Sequence, residues 1–313
     1  MNRIAIRGAK APVSALVMGS DYFAPEKMEL VSENLDAYEA IGGNTIDTAY
    51  IYAGGKSEEA IGLWLEARKN RDRILILTKG AHPDRNGSRM NRQAIREELA
   101  VSLERLRTDY TDLYALHRDD PDVPVAEIMT ILNELVQEKR IHALGASNWT
   151  WQRLEEANEY AKANGMVGFT FSSPNFSLAK AQEPYWKGCV SVDEETLAWH
   201  ERTGLPVFSW SSQARGFFTG RFTPEDRSNA DLVRVFYNDD NWERYRRAEL
   251  LAREKGVETI QISLAYVLNQ KFPTAAIIGP QNAAELRSCH AAASIRLTEQ
   301  EVQWLDLRLS ERP

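Results

Sequence analysis

The sequence predicts a (β/α)8 barrel with an N-terminal β-hairpin closing its floor, and three observations lead there. Eight short apolar runs recur along the 313 residues, nearly continuous in hydrophobicity as strands covered on both faces should be. Each is followed by a segment with helical features. No linker or change of composition divides the chain, which predicts one barrel domain over residues 1–313. A doubly wound sheet is the alternative, but it would ordinarily need fewer strands or a second domain.

The opening stretch Ile4–Val13 reads as the hairpin. The eight strand runs are then 15–19, 44–47, 74–79, 113–117, 143–147, 168–172, 206–210 and 275–279. After the first, Val31, Leu35, Tyr38 and Ile41 share one helical face, and Gly42-Gly43-Asn44 stops it. Asn91 is placed to cap a helix striped by Ile95, Leu99, Ser102 and Leu106. Pro124 opens a segment with Ile128, Ile131, Leu132 and Leu135 on one side. Leu154–Tyr160 ends at Asn164-Gly165, and Leu197–Trp199 ends at Gly204. Ile262–Leu268 and Ala283–Ala293 complete the set. The stretches 179–192 and 220–241 read as irregular loops over the barrel top. Arg244, Arg246 and Arg247 sit among acidic residues and read as a solvated helix face.

Composition excludes several classes. A net charge of −7 argues against nucleic acid as the main partner, since phosphate binding needs a cationic surplus. Two cysteines, Cys189 and Cys289, make neither a disulfide framework nor a zinc spacing and fit a reducing compartment. The start Met1-Asn2-Arg3-Ile4 lacks a signal-peptide run, and no apolar stretch would cross a bilayer, so a cytoplasmic protein without membrane partners is expected. The oligomeric state is left open.

In a barrel of this kind the chemistry gathers where strands end. Those positions hold Asp47, then Tyr52 shortly after it, Lys79 and His117. Singly each has an ordinary reading: a turn residue, a rim lysine, a core histidine. Together they make a proton-transfer device. A free phenol, with a pKa of about 10, is a poor acid at neutral pH. A lysine ammonium beside it lowers that value, and an aspartate holds the lysine. A histidine orients the carbonyl or relays a proton.

The stretch Asn44-Thr-Ile-Asp-Thr-Ala-Tyr-Ile-Tyr-Ala-Gly-Gly-Lys-Ser-Glu-Glu-Ala-Ile-Gly62 strongly resembles the signature of the aldo-keto reductase superfamily. So do Leu77-Thr-Lys79, Asp112-Leu-Tyr-Ala-Leu-His117 and Ala143-Leu-Gly-Ala-Ser-Asn-Trp149, in the family's order from about Val13 to Leu305. The resemblance implies a catalytic tetrad of Asp47, Tyr52, Lys79 and His117, with Tyr52 as general acid or base. It also implies a nicotinamide cofactor laid across the barrel's C-terminal face. Ser147 and Asn148 match the pair that binds the carboxamide, and Trp210 falls where an aromatic ring stacks on the nicotinamide. Ser211, Gln213 and Arg215 lie in a segment resembling the pyrophosphate loop.

Two departures bear on the cofactor. Ser173, with Ser172 second, stands where the family commonly has a glutamine. The segment from Gly279 resembles the adenosine-phosphate loop, yet Gln281 and Glu285 occupy positions that NADP-preferring members fill with Lys or Arg. Asn282 opens the following helix and offers generic anion binding. NADP(H) is the cofactor the resemblance implies, and NAD(H) stays open.

Tyr22, Phe23, Trp149 and Trp186, with Arg118 as a polar anchor, are read as the substrate wall. Aldehydes, ketones and sugar-derived carbonyls or alcohols are the expected small-molecule partners. Two other classes compete: a cofactor-binding sensor or regulatory subunit with slow turnover, and a metal-dependent hydrolase using Asp47 and His117. The second lacks a His-x-His pair and leaves Lys79 without a purpose, so no metal is expected.

Overall fold

The computed structural model describes residues 1–313. Two short strands, β1 (Arg3–Ile4) and β2 (Val13–Ser14), pair antiparallel as the expected hairpin. Eight parallel strands follow: β3 (Leu16–Gly19), β4 (Thr45–Asp47), β5 (Leu75–Gly80), β6 (Thr111–Leu116), β7 (Ile141–Ser147), β8 (Phe171–Ser173), β9 (Val207–Ser209) and β10 (Thr274–Ile278). Each pairs with the next, and β10 returns to β3, so the sheet closes without an edge.

The helices are α1 (Met28–Ala40), α2 (Lys56–Arg68), α3 (Arg92–Arg105), α4 (Val125–Gln137), α5 (Trp151–Ala163) and α6 (Glu194–Thr203). They continue with α7 (Ala230–Phe236), α8 (Asp239–Lys255), α9 (Thr259–Leu268), α10 (Ala283–Ala292) and α11 (Glu299–Leu305). Every barrel strand is followed by at least one. Local chemistry sets their starts: Asn91 Oδ1 accepts the N–H of Ala94 at 2.9 Å, and Asn282 Oδ1 accepts those of Ala284 and Glu285 at 3.0 Å. Gly204 ends α6 in the left-handed region at φ 67°, where a side chain would be strained.

The barrel interior is a closed apolar cluster of Val17, Leu75, Leu77, Leu113, Ala115, Ala143, Phe171, Phe208 and Ala275. Ile6 and Val13 from the hairpin join it, which is how the hairpin plugs the floor. Burying such side chains contributes roughly 1.5–3 kcal/mol each.

Three expectations are corrected. The stretch 220–241 is no loop throughout, because it holds α7 and the first residues of α8. Helices α2 and α11 had no counterpart in the apolar pattern; α2 buries Ser57, Glu58 and Gly62 beside its apolar residues. Arg244 is buried rather than solvated. Its Nη1 donates to Asn241 Oδ1 at 3.2 Å, and its Nε lies 3.8 Å from Asp306 Oδ1, the same oxygen that Lys180 Nζ approaches to 3.0 Å. No helix is long and apolar enough to cross a membrane.

His200 of α6 is wholly enclosed, stacked on Phe272 at 5.2 Å with Nδ1 2.9 Å from the Leu205 carbonyl oxygen. Burial pushes its pKa down to about 4. The unfolded chain takes up that proton near the ordinary value of about 6.5. Below that pH the unfolded state binds more protons, so stability falls with pH until both forms are protonated below about 4. The destabilisation caused by His200→Gln in urea titrations should therefore shrink by about 2 kcal/mol on going from pH ~7 to ~4.5. An equal penalty at both pH values would contradict a neutral buried imidazole.

Candidate active site

Strand alternation places the polar residues. Side chains two residues apart on a strand share a face, and Leu77, Ala115, Ala143 and Phe171 all point into the barrel interior. Continuing each strand by that period brings Lys79, His117, Ser147 and Ser173 over the same axis at the C-terminal mouth. Register does the rest. Asp47 pairs with Leu77, and Lys79 pairs with Ala115, so each successive polar residue stands one step further round the rim.

Tyr52 reaches the mouth by a sharp reversal. After β4 the chain kinks over Tyr52–Gly55, with Ala53, Gly54 and Gly55 all at positive φ. The four residues anticipated as a tetrad meet there. Lys79 Nζ lies 2.5 Å from Asp47 Oδ1 and donates to the Tyr52 hydroxyl at 3.1 Å and to the Thr48 carbonyl at 2.9 Å. All three ammonium protons thus have acceptors. The Tyr52 and His117 rings stand edge to face, with centroids 5.6 Å apart.

The electrostatics differ from expectation in one respect. Burial dominates at Tyr52 and pushes its pKa up to about 12, although Lys79 pulls the other way. The phenol is therefore held as a proton-loaded donor at neutral pH. Burial works against the Lys79 charge too, but Asp47 and Tyr52 together outweigh it and keep the ammonium charged. Burial, with the nearby charges of Lys79 and Arg118, drives His117 well below the usual imidazole range, so it is neutral.

The second half of the long motif builds the frame. Glu58 is fully buried, accepts the Thr78 hydroxyl at 2.6 Å and pairs with Arg105 at 3.2 Å. Arg105 also donates to the Tyr50 carbonyl at 2.9 Å, two residues from Tyr52. At Gly62 a Cβ would come 2.1 Å from the Arg105 carbonyl oxygen, so only glycine lets α2 approach α3 there.

Around the rim lie the residues assigned to the cofactor. Asn148 adopts a left-handed φ of 62° and donates to His117 O at 3.2 Å and Ser147 Oγ at 3.1 Å. Ser147 Oγ donates to the Ser173 carbonyl at 2.8 Å. Two buried atoms beside them, Ser173 Oγ and Trp210 Nε1, have no hydrogen-bond partner. Leaving such groups unpaired costs about 1–3 kcal/mol each, and an amide-bearing ligand such as a nicotinamide would fit them. Ser211 and Arg215 sit at φ 48° and 50°, and Gln213 Oε1 accepts the Cys289 thiol at 3.5 Å. The Arg215 guanidinium stacks over Tyr185 at 4.7 Å and Trp186 at 5.4 Å, tying the loop after β9 to that after β8. Past Gly279, the Gln281 N–H donates to Glu285 at 2.8 Å, and Asn282 caps α10.

The residues expected to wall the substrate differ in exposure. Trp186 is 48% exposed and lies 5.8 Å from Trp210. Phe23 has no exposed surface and belongs to the core, and Trp149, 2% exposed, packs edge-on against Phe169. Tyr22 turns toward the loop after β10, donating to the Pro280 carbonyl at 2.5 Å. Loop residues that look free in sequence are here held by tertiary packing. Conversely, His82 escaped the sequence reading, yet its ring stands 5.0 Å from that of His117. No strand-end motif marks it; it follows β5 on a left-handed turn at Ala81. No group of three or more His, Cys, Asp or Glu side chains is placed to hold a metal ion.

Residues 15–307 match the model of the aldo/keto reductase family. The chain belongs to that family. As an aldo-keto reductase it is an oxidoreductase acting on carbonyl groups. It is 29% identical to norsolorinic acid reductase B of Aspergillus parasiticus, over 95% of this chain and 81% of that one. It is 27% identical to the aldo-keto reductase AFTS1 of Alternaria alternata, over 92% and 83% respectively. The fold matches the crystal structure of the thermostable aldo-keto reductase Tm1743, determined with the inhibitor epalrestat. That match has a TM-score of 0.77 at 24% identity, covering 98% of this chain and 99% of that one.

Removing one partner of a buried ion pair strands the other charge. Asp47→Leu or Lys79→Met alone should each lower stability by roughly 3–5 kcal/mol in chemical denaturation. The double variant should lose less than the sum, because neither charge is left behind. Additive losses would mean that the two groups do not interact.

Proposed function

We propose that this aldo-keto reductase moves a hydride between a nicotinamide dinucleotide and the carbon of an aldehyde, ketone or sugar-derived carbonyl, with Tyr52 exchanging the proton at oxygen. The observation that carries the reading is the single ammonium of Lys79, shared between Asp47 and the Tyr52 hydroxyl at the barrel mouth. When bound, the dihydronicotinamide supplies the hydride. Ser147, Asn148 and Ser173 would hold its carboxamide, and Trp210 its ring face.

For the chain's own residues the chemistry follows from their charge states. The Tyr52 phenol, protonated at neutral pH, gives its proton to the oxygen that gains negative charge. Lys79, fixed by Asp47, steadies the phenolate left behind. Neutral His117 orients the carbonyl by hydrogen bonding without competing for that proton. Trp186, exposed and 5.8 Å from Trp210, extends the apolar surface beside the nicotinamide position. In the reverse direction Tyr52 receives the alcohol proton.

We take NAD(H) to be preferred over NADP(H). The Glu285 carboxylate already occupies the first turn of α10 by accepting the Gln281 N–H, so it would repel a ribose phosphate there.

Tyr52→Phe should lower kcat by about 10²–10⁴-fold while leaving dinucleotide affinity, read by tryptophan fluorescence quenching, within about threefold. Retained turnover would remove Tyr52 from the mechanism. In the same titration NADH should bind more tightly than NADPH, and Glu285→Lys should shift the ratio roughly tenfold toward NADPH. A wild-type preference for NADPH would overturn the assignment to Glu285. Chelator treatment should leave activity unchanged.

A further inference from the structure

Beside His117 sits a cation with no counter-ion. Arg118 is only 8% exposed, and its one hydrogen bond runs from Nη1 to the His117 carbonyl oxygen at 2.8 Å. Nε is buried without a partner, and Nη2 makes no hydrogen bond, so the Nε–Nη2 edge of the guanidinium is unused. The surrounding carboxylates are committed elsewhere. Asp119, its neighbour in sequence, pairs with Arg153 at 3.3 Å, and Glu98 pairs with Arg89 at 2.8 Å. Asp47 belongs to Lys79. The charge is felt locally: after burial, it is among the influences holding His82 and His117 neutral.

Arg118 is also fixed in place. The Trp149 indole N–H donates to its carbonyl at 3.2 Å, and the loop after β8 lies over its side chain, where a Cβ on Gly188 would be 3.4 Å from Cδ. An unpaired buried cation is costly unless an anion completes it. Gly188 covers Nε, where a Cβ on it would be 3.6 Å away, so Nη2 is the N–H donor open to a carboxylate oxygen.

We propose that the substrate of this enzyme is a carbonyl compound bearing a carboxylate, which Arg118 grips through Nη2 while the carbonyl faces Tyr52. This rests on the hydride-transfer reading above and adds the substrate class. Arg118 is then the specificity residue of the site.

The test compares 4-carboxybenzaldehyde with its neutral counterpart methyl 4-formylbenzoate. Steady-state kinetics is run with the preferred cofactor, and calorimetric binding with protein saturated by oxidised cofactor. In the wild type the acid should be favoured roughly 10- to 100-fold, in KM and in Kd alike, as one charge-assisted contact implies. Arg118→Ala should collapse the acid-to-ester ratio toward about 1, and Arg118→Lys should keep part of it. Equal binding of acid and ester by the wild type, which needs no variant to fold, would overturn the proposal. So would an unchanged ratio in Arg118→Ala that keeps the native circular dichroism spectrum. If neither aldehyde were turned over while the acid still bound preferentially, the hydride-transfer reading would fall and the carboxylate assignment would stand.

Discussion

Lys79 and Asp47 are each about 2% exposed, and a single charge so buried would cost several kcal/mol to keep. Their 2.5 Å contact therefore fixes more than one pair of atoms. It requires the ends of β4 and β5 to hold one register, which the pairing of Asp47 with Leu77 provides. It also requires acceptors for the two remaining ammonium protons. One is a backbone carbonyl, Thr48 O, and the other is the Tyr52 hydroxyl. The phenol is thus an obligatory part of satisfying a buried lysine, and its position follows from the ion pair.

Holding that arrangement costs backbone strain in a particular place. Ala53, Ala81, Asn148, Ser211, Ala214 and Arg215 all adopt positive φ without being glycine, and all follow a barrel strand at its C-terminal end. Such conformations cost on the order of 1–3 kcal/mol each and persist only where neighbours over-determine them. Asn148 shows how that happens: its amide donates to two groups, and its Oδ1 accepts the Val190 N–H at 3.2 Å. The floor carries less of this strain, because its work is sealing apolar surface through Ile6 and Val13.

The eight strands were legible because parallel strands buried on both faces read as compact apolar runs, and the meeting of Asp47, Tyr52, Lys79 and His117 was legible because they end or follow those runs. What the sequence hid has a common cause. Helix α2 buries Ser57, Glu58 and Gly62, and Glu58 is buried only because Thr78 and Arg105, from other elements, meet it. Arg244 looks solvated until Asp306, 62 residues on, comes beside it. Phe23 and Trp149 look like free aromatics on loops until the core and Phe169 close over them. Each depends on a partner distant in sequence, which local periodicity cannot reveal. Phe23 and Trp149 accordingly look more exposed in sequence than they are, and nothing local marks His82 beside His117.

The sign of the shift at Tyr52 belongs to the same class. Sequence chemistry alone sees an ammonium beside a phenol and expects a stronger acid. Burial is a property of the closed barrel, and at this site it outweighs the ammonium. The consequence is directional. A phenol that keeps its proton is ready to give it to an oxygen accumulating negative charge, while the ammonium matters most after the proton has left. In the proposed proton transfer, Lys79 would stabilise the phenolate left behind, in surroundings where water cannot. The ion pair to Asp47 keeps that ammonium charged and aimed at the Tyr52 oxygen.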